Sequence, residues 1–345
     1  MHLSQHELDL ISWCALSEPG DALTNLIWNA FGPEALESIK KQDFETWRNF
    51  ISESFPEYLS ELRSMEERVC LRLPRANAYQ LVERGIRWNA RPVAVASLPS
   101  VEGRLSDLGE HAPLLIWVAG DQVALEQDFA GIVGTRKPSV KGASNARRLV
   151  ASLRMPIVSG GAIGIDRAAH EAALEFGLPT VAIMAGGLDK AYPMENWEMF
   201  HQIVRSGGVL MSEMPPGAAP SRFRFLQRNR LIAAMCKELF VVEAALRSGS
   251  RNTANHARGL GREVYALAGS WASEQSQGCN TMIKEGVAKQ YVLDDPIQIE
   301  PSWTEKRVQD ALRAGAKTPS EIAIESGVGL KQVKSIVLLG GKTCN

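Results

Sequence analysis

From about residue 113 onward, short apolar runs alternate with longer amphipathic stretches, and this alternation most limits how the chain can fold. The runs have strand length and read PLLIWVAG, FAGIVGT, MPIVSGG, PTVAIMAGG, GGVLMSE, ELFVVEA, REVYALAG and QYVL. Stretches of helical spacing such as VKGASNARRLVASL and IDRAAHEAALEFG separate them. Continuous apolar strands joined by amphipathic helices predict a mostly parallel sheet covered on both faces, which is the doubly wound α/β fold.

Helical patterns precede this α/β segment. Residues 1–65 carry apolar positions at helical spacing, as in ELDLISWCALS and ALTNLIWNAFG, and predict a small helical domain. Its core should contain three tryptophans, Trp13, Trp28 and Trp47. Residues 66–112 are interrupted by Leu-Pro and Arg-Pro turn signals, so they read as a connecting segment that packs on the next domain.

A second helical pattern follows the α/β segment. We place the α/β domain at residues 113–297 and a separate unit at 298–345, where three short helical stretches are divided by glycine or Thr-Pro signals. Thr318 precedes Pro319 and Glu321, so it is a candidate N-cap within a capping box. Three helices in this rhythm predict a helix-turn-helix unit.

Two strands of the predicted sheet end in glycine turns that open a helix, a pattern that favours anion binding. Ligands of an open α/β sheet bind beyond the carboxyl ends of its strands. After FAGIV, Gly134 lets the backbone approach a ligand, Thr135 offers a hydroxyl and Arg136 offers a guanidinium fork for phosphate. After MPIV, a helix N-terminus with free backbone N–H groups attracts anions. That turn contains Ser159, Gly160 and Gly161. A single glycine turn can serve strand-to-helix geometry alone, but two in one sheet favour a phosphate groove.

Further cations follow other strands. Lys190 comes after TVAIM and can reach the same phosphate groove, and Arg247 comes after ELFVVEA. The stretch SRFRFLQRNRLIAA interleaves arginines with two phenylalanines, a combination suited to single-stranded nucleic acid. The alternative for this stretch is a solvated helix face with two buried phenylalanines. Its arginines are Arg222, Arg224, Arg228 and Arg230.

The distribution of charge agrees with a phosphate-rich partner, although the formal net charge is only −1. Residues 1–67 hold 13 acidic against 4 basic side chains, whereas residues 131–262 hold 18 basic against 9 acidic ones. A neutral total therefore conceals an acidic head and a basic centre. The alternative is that these charges only solvate helix surfaces.

Several classes of protein are disfavoured by what the sequence lacks. No GXXXXGK[ST] loop, no GxGxxG followed by an acidic residue and no GxSxG elbow occurs, so we expect no bound nucleotide cofactor. Five cysteines at wide spacing, with no CxxC pair, predict a reducing, cytoplasmic setting and no metal. No apolar run of about 18 residues and no secretory pattern occurs, so we expect no membrane contact.

Two residues were weighed as catalytic groups. His170 lies four residues after Asp166 in a helical stretch, but a helical histidine among alanines is more often packed or on the surface. Glu213 ends the strand in LMSE and is the best catalytic carboxylate, although pairing with an arginine explains it at least as well. We therefore assign no catalytic residue.

Seven blocks, in order, resemble the DNA-processing protein A (DprA/Smf) family. They are GIVGTRKPS, VSGGAIGIDRAAHEAAL, VAIMAGGLDKAYPMEN, LMSEMPPG, FLQRNRLIAAM, VVEAALRSGSRNTANHARGLGREVYALAG and SQGCN, within residues 90–290. The resemblance implies an extended Rossmann-like domain between a sterile-alpha-motif-like (SAM-like) helical domain and a winged-helix domain. It also implies a homodimer without turnover chemistry that binds single-stranded DNA, protects incoming strands in natural transformation and loads the RecA recombinase.

By position, the resemblance implies DNA contacts at seven residues of the two turns and the third strand end. These are Gly134, Thr135, Arg136, Ser159, Gly160, Gly161 and Lys190. The segment Arg228, Asn229 and Arg230 belongs to the family pattern as well. Two segments depart from that pattern. EPGDAL stands where the family has a PGLG-like hairpin, so residues 1–65 receive no DNA contact, and LLGGKTCN stands where a wing would begin, so we expect a winged-helix-like unit without a full wing.

The competing interpretation is an enzyme that acts on nucleotides. LOG-type nucleoside monophosphate phosphoribohydrolases use a related sheet and carry the signature PGGxGTxxE. The corresponding turn here reads EAALRSGSRNTANHA, which has neither the double glycine nor the glutamate. Release of free base from adenosine monophosphate would favour this alternative.

Overall fold

The computed structural model describes residues 3–190, 192–293, 303–330, 332–333 and 337. The chain divides into two compact units, residues 1–293 and residues 294–345. The larger unit contains the sheet and the helices that precede it, and the smaller unit is helical in its described part. The finer domain boundaries inside the larger unit stay predictions.

Nine strands of the described chain form one sheet. They are β1 (Ala90–Ala94), β2 (Leu115–Gly120), β3 (Phe129–Val133), β4 (Ile157–Ser159), β5 (Thr180–Met184), β6 (Val209–Ser212), β7 (Cys236–Val241), β8 (Glu263–Leu267) and β9 (Lys289–Tyr291). Their order across the sheet is β1-β2-β6-β5-β4-β3-β7-β8-β9. From β6 to β9 neighbouring strands pair in parallel, whereas β2 pairs antiparallel with both β1 and β6. The predicted α/β fold with a mostly parallel, doubly wound sheet is confirmed.

The path of the chain through the sheet reverses at β3. The chain goes from β3 through β4 and β5 to β6 in one direction, then crosses back to place β7 on the other side of β3. The carboxyl ends of β3 and β7 therefore flank the topological switch point, where the two connecting segments diverge and leave a crevice.

The helices of the larger unit cover both faces of the sheet and form an additional N-terminal layer. They are α1 (Gln5–Leu16), α2 (Ala22–Phe31), α3 (Glu34–Lys41), α4 (Glu45–Ser54), α5 (Leu59–Arg72), α6 (Ala78–Ile86), α7 (Pro99–Leu105), α8 (Val140–Leu153), α9 (Ile165–Glu175), α10 (Trp197–Arg205), α11 (Arg222–Met235), α12 (Gly249–Gly259) and α13 (Glu274–Lys284). No helix in the described part of the chain is long and apolar enough to cross a bilayer.

The segment predicted as a connection, residues 66–112, contains regular structure that the sequence signals concealed. It holds the second half of α5, all of α6 and α7, and the edge strand β1, in which Ala90 pairs with Ala119. Pro92 lies inside β1, and a proline within an apolar run argues against a strand. An edge strand tolerates it because one side of its backbone needs no partner.

The N-terminal helices share a hydrophobic core with the sheet. Trp13 and Trp47 are fully buried and Trp28 is nearly so, which confirms their predicted place in the core. The same apolar cluster continues into Trp117 of β2 and Phe200 of α10. The helical layer is therefore packed against the sheet over apolar surface rather than attached by a linker.

The loop between α1 and α2 pairs with arginines of α11. The carboxylate of Glu18 accepts hydrogen bonds from Nε and Nη2 of Arg224, at 2.9 and 3.0 Å. The backbone N–H of Gly20 donates to Glu213 at 3.1 Å, and Arg230 donates to the same carboxylate at 2.8 Å. The acidic EPGD segment thus serves internal packing in this structure.

The smaller unit contains α14 (Trp303–Arg313) and α15 (Pro319–Ser326). The hydroxyl of Thr318 accepts from the N–H of Glu321, and the carboxylate of Glu321 accepts from the N–H of Thr318. The predicted capping box at the start of α15 is therefore confirmed. Val308, Ile322 and Val333 are buried in a core of this unit. Much of the third predicted helix and the place of a wing lie outside the described residues.

Candidate nucleic-acid interface

An open cavity of about 680 Å³ lies at the carboxyl ends of β3 and β7, and we call it the switch-point cavity. Its walls are residues 134–137 after β3, residues 245–250 after β7 and one face of α11. Ala162 and Asp166, which follow β4, complete one side. The cavity therefore occupies the place where doubly wound sheets bind their ligands.

The described lining of the switch-point cavity carries an excess of positive charge. Its exposed cations are Arg136, Lys137, Arg222 and Arg247. Arg228 lies buried at the base, and burial lowers the pKa of its guanidinium to about 10, so it keeps its proton at neutral pH. The carboxylates of the lining are Asp166 and Glu274. The cavity is thus suited to an anion that several cations contact at once.

An aromatic ring lies among these cations. The guanidinium carbon of Arg136 is 5.0 Å from the centroid of the Phe225 ring, within the range of a cation–π contact. The ring of Tyr192, which is 48% exposed, lies 5.8 Å from the same ring at a tilt of 58°. Aromatic faces of this kind bind unstacked bases without regard to sequence.

The turn after β3 is held by its neighbours so that Arg136 projects from it. The N–H of Thr135 donates to the carbonyl of Glu243 at 2.7 Å, and its hydroxyl accepts from the N–H of Lys137 at 3.2 Å. A Cβ on Gly134 would lie 2.6 Å from Cγ1 of Ile165, so the open side of this glycine packs against α9. The turn thus presents its two cations from a fixed backbone.

The turn after β4 already contains an anion of the protein itself. Oδ2 of Asp166 accepts from the N–H groups of Gly160 and Ala162, at 3.2 and 3.4 Å. The prediction that the N–H groups of this turn are free to bind an anion is therefore wrong for these two, because they donate to a carboxylate in the first turn of α9. Burial raises the pKa of Asp166, while the charge of Arg228 opposes that effect. The hydroxyl of Ser159 donates to the carbonyl of Ile132 at 2.5 Å.

The turn after β4 is therefore buried at Ser159, Gly160 and Gly161 rather than exposed to solvent. Gly161 also accepts a bond on its carbonyl from Asn196, at 2.9 Å. Contact of these three residues with DNA stays a prediction.

Three consecutive residues of α11 that the sequence singled out are all buried, and each fixes a different element. Arg228 donates through Nη1 to the carbonyl of Gly160 at 2.5 Å and to that of Ile183, which ties α11 to the ends of β4 and β5. Asn229 donates to the carbonyl of Gly249 at 3.3 Å and to the side chain of Asn252 at 3.1 Å, which holds the start of α12.

Arg230 faces the N-terminal layer. It donates through Nη2 to Glu213 and to the carbonyl of His111, both at 2.8 Å. Among the described residues that line the switch-point cavity, Arg228 and Asn229 are present and Arg230 is not. Direct DNA contact of these three residues stays a prediction, and the structure shows them as the supports of the surrounding loops.

The sequence points to the arginines and phenylalanines of α11 but not to the single helix face that lines the cavity. Arg222, Phe225, Leu226 and Asn229 all line the switch-point cavity. Their spacing is i, i+3, i+4 and i+7, which places them on a single helix face. That spacing is the signal that could have distinguished Phe225 from Phe223 and found Leu226, and adjacency to Arg136 could have found Lys137.

Lys190 is exposed but does not line the switch-point cavity. It lies in a separate cleft of about 410 Å³ together with Arg84, Arg87 and Trp88. Arg247, in contrast, is exposed on the wall of the switch-point cavity as predicted from its place after β7.

The two residues weighed as catalytic groups lie elsewhere. His170 is fully buried, and its Nδ1 lies 2.7 Å from the hydroxyl of Thr180. Burial and the charge of Arg228 lower its pKa to about 3, so the ring stays neutral. Glu213 is paired with Arg230. No cluster of metal-ligating side chains occurs within the described ranges.

Comparison with known proteins places these features in context. The family model for DNA recombination-mediator protein A matches residues 97–299. The chain is 41% identical to a DNA processing protein DprA of Mycobacterium tuberculosis over 268 residues, covering 70% of this chain and 68% of that one. It is 39% identical to DprA of Streptococcus pneumoniae over 184 residues, covering 52% and 65%. The X-ray structure of the S. pneumoniae protein superposes with a TM-score of 0.63 at 28% identity, covering 87% of this chain and 99% of that chain.

Proposed function

The chain belongs to the DNA recombination-mediator protein A (DprA/Smf) family, and from that membership we propose that it binds single-stranded DNA along the switch-point cavity. The matched residues 97–299 include every strand from β2 to β9, so the cavity lies wholly inside the matched region. A DNA-processing role therefore rests on the same part of the chain as the candidate interface.

One observation carries this proposal: exposed cations surround an aromatic ring in an open cavity at the switch point. Arg136 and Lys137 on one wall and Arg247 on the other can each contact a phosphate, while Phe225 offers a ring face to a base. Phosphates and base faces carry no sequence code, so binding should depend little on sequence. The release of counterions from the DNA should supply much of the binding free energy.

Within this proposal the predicted site residues divide into two groups. Arg136, Arg247 and Lys190 are exposed and contact phosphates directly. The remaining ones hold the loops that carry the contacts, through the hydrogen bonds described above and, for Gly134, through its packing against α9. They are Gly134, Thr135, Ser159, Gly160, Gly161, Arg228, Asn229 and Arg230.

We also propose that the protein binds DNA without transforming it. Two carboxylates beside the strand ends are occupied by protein donors: Asp166 by backbone N–H groups, and Glu243 by the N–H and hydroxyl of Ser139 at 2.9 and 2.5 Å. The other carboxylate of the cavity lining, Glu274, is exposed to solvent. A phosphoribohydrolase needs a carboxylate that is available for proton transfer. Release of adenine from adenosine monophosphate by the purified protein would overturn this part of the proposal.

The wider role follows from family membership alone. We propose that the protein acts in the cytoplasm as a homodimer, protects incoming single strands during natural transformation in a competent cell, and loads RecA on them. Cross-linking of the protein to purified RecA on single-stranded DNA, with size-exclusion chromatography of the protein by itself, tests these points separately.

The DNA-binding proposal is tested by fluorescence anisotropy with a labelled oligothymidine and a duplex of equal length. We expect tighter binding of the single strand, and affinity for both that falls with salt. Arg136→Glu should weaken binding to the single strand by at least about tenfold. The matched control is Arg63→Glu, on an arginine of α5 whose side chain is 89% exposed. Equal affinity of wild type and Arg136→Glu would refute the assignment.

A further inference from the structure

A second cleft of about 410 Å³ opens beside β5, and we call it the Trp88 cleft. Arg84 of α6, with Arg87 and Trp88 just after the helix, forms one wall, and Lys190 forms the other. Lys190 ends the short turn that follows β5, so the cleft lies at the same edge of the sheet as the switch-point cavity. It combines cations and an aromatic ring, as the switch-point cavity does.

A buried carboxylate fixes the position of one cation in this cleft. The Nε of Arg84 donates to Oδ2 of Asp189 at 2.7 Å, and the N–H of Gly217 donates to Oδ1 at 2.7 Å. The side chain of Asp189 is 2% exposed, whereas that of Arg84 is 47% exposed. One carboxylate oxygen thus holds a guanidinium that remains accessible from solvent, while the other fixes the carboxylate to the backbone.

The indole of Trp88 is held in place and still accessible. It is 43% exposed and packs edge to face with Trp197, at 5.6 Å between ring centroids and 80° between planes. Trp197 in turn contacts His201, with ring centroids 4.5 Å apart. A large aromatic ring that is braced from behind and open to solvent is a platform on which a flat base can stack.

The segment that follows β5 links the two cavities along the chain. β5 lies two strand positions from β3, and therefore about 10 Å from it at the usual strand spacing. Tyr192 comes two residues after Lys190, and its ring packs on Phe225, which lines the switch-point cavity. A flexible strand that leaves the switch-point cavity past Phe225 meets Tyr192, then Lys190 and the Trp88 cleft.

We propose that the Trp88 cleft is a second nucleotide subsite, which stacks a base on Trp88 and binds the adjacent phosphate with Lys190 and the guanidinium of Arg84. The bound strand then runs across the carboxyl ends of β4 and β5 from one cavity to the other. This inference rests on the proposed binding of single-stranded DNA and extends it to a defined path and a minimum length.

The path is tested by comparing two lengths of labelled oligothymidine, of about four and about twelve nucleotides, by fluorescence anisotropy. We expect Trp88→Ala to weaken binding of the longer oligonucleotide by about tenfold and to leave the shorter one unchanged. Trp88→Phe should retain most of the affinity, because it keeps a ring face. The matched control is Trp271→Ala, which removes a tryptophan that is 59% exposed and lies outside both cavities.

A second variant guards against an effect of Trp88 on folding. Arg87 is 70% exposed at its side chain and pairs only with exposed Glu83 among described contacts, so Arg87→Glu should fold normally. This variant should weaken binding of the longer oligonucleotide and leave binding of the shorter one unchanged. If Trp88→Ala and Arg87→Glu bind the longer oligonucleotide as wild type does while Arg136→Glu fails, the second subsite is refuted and the proposed function stands. If Arg136→Glu also binds normally, the proposed function itself fails.

Discussion

The guanidinium of Arg136 lies over the ring of Phe225, 5.0 Å from its centroid, and so connects the turn after β3 with α11 across the switch-point cavity. The same ring lies 5.9 Å from the guanidinium carbon of Arg228 at the base of the cavity. One aromatic side chain therefore contacts an exposed and a buried cation, and its orientation is set before any ligand arrives.

Replacing Phe225 should separate ring stacking from charge. We expect Phe225→Leu to weaken binding of oligothymidine by about tenfold, since leucine offers no π-face. Phe225→Tyr should bind as wild type does. Anisotropy titrations give the affinities, and thermal unfolding shows whether each variant is folded. A leucine variant with wild-type affinity would show that the ring serves only packing.

The exposed cations should account for part of the salt dependence of binding. Arg136→Ala and Arg247→Ala should each lower the slope of log K against log salt concentration by about one unit, because each removes one phosphate contact. Arg63→Ala on α5 should leave the slope unchanged. Titrations at several potassium chloride concentrations measure it, and an unaltered slope in either cavity variant would remove that residue from the interface.

Arg228 should matter for stability first. Arg228→Met leaves the carbonyls of Gly160 and Ile183 without their donor and removes the cation that faces buried Asp166. We expect the free energy of unfolding to fall by about 3 kcal/mol, measured by urea denaturation. The same substitution at exposed Arg222 of the same helix should change it by less than about 0.5 kcal/mol and should weaken DNA binding instead.

Acid should destabilise the protein partly through His170. The hydroxyl proton of Thr180 goes to the carbonyl of Ile157, so Nδ1 of His170 donates to Thr180, and Nε2 has no partner among described groups. The pKa of His170 is about 3 in the folded state and about 6.5 in the unfolded state. Between these values only the unfolded chain binds the proton, so the free energy of unfolding falls as the pH is lowered.

The expected contribution is about 1.4 kcal/mol for each pH unit below about 6.5. His170→Gln keeps a donor for Thr180 without a titrating ring, so its unfolding free energy should fall less steeply between about pH 6.5 and about pH 4. Urea denaturation over that range provides the comparison, with His6→Gln, on an exposed histidine, expected to follow wild type. Parallel profiles of wild type and His170→Gln would contradict this account.

The alternation of apolar runs and amphipathic stretches was sufficient to predict the doubly wound sheet, because each buried parallel strand is a continuous apolar run. β1 was missed because Pro92 carries the local signal of a turn, and only the edge position found in the fold makes it acceptable. Local sequence does not state which strand will lie at an edge.

The candidate site was predictable in place but less so in detail. The carboxyl ends of β3 and β7 follow from the fold class, and Arg136 and Arg247 lie in the loops that follow these strands. The turn after β4 was misread because Asp166, only six residues after Gly160, supplies the anion itself. DNA contact at Arg228, Asn229 and Arg230 stays a prediction, but three consecutive helical residues span about 200° and do not share one face.

The apolar cluster that joins the N-terminal helices to the sheet determines how this protein can be dissected. Trp117 of β2 and Phe200 of α10 belong to the same buried apolar cluster as residues of the first two helices. A fragment that begins at the first buried strand would expose this apolar surface to water and would aggregate. Single substitutions, rather than truncated chains, are therefore suited to assigning the functions of its separate regions.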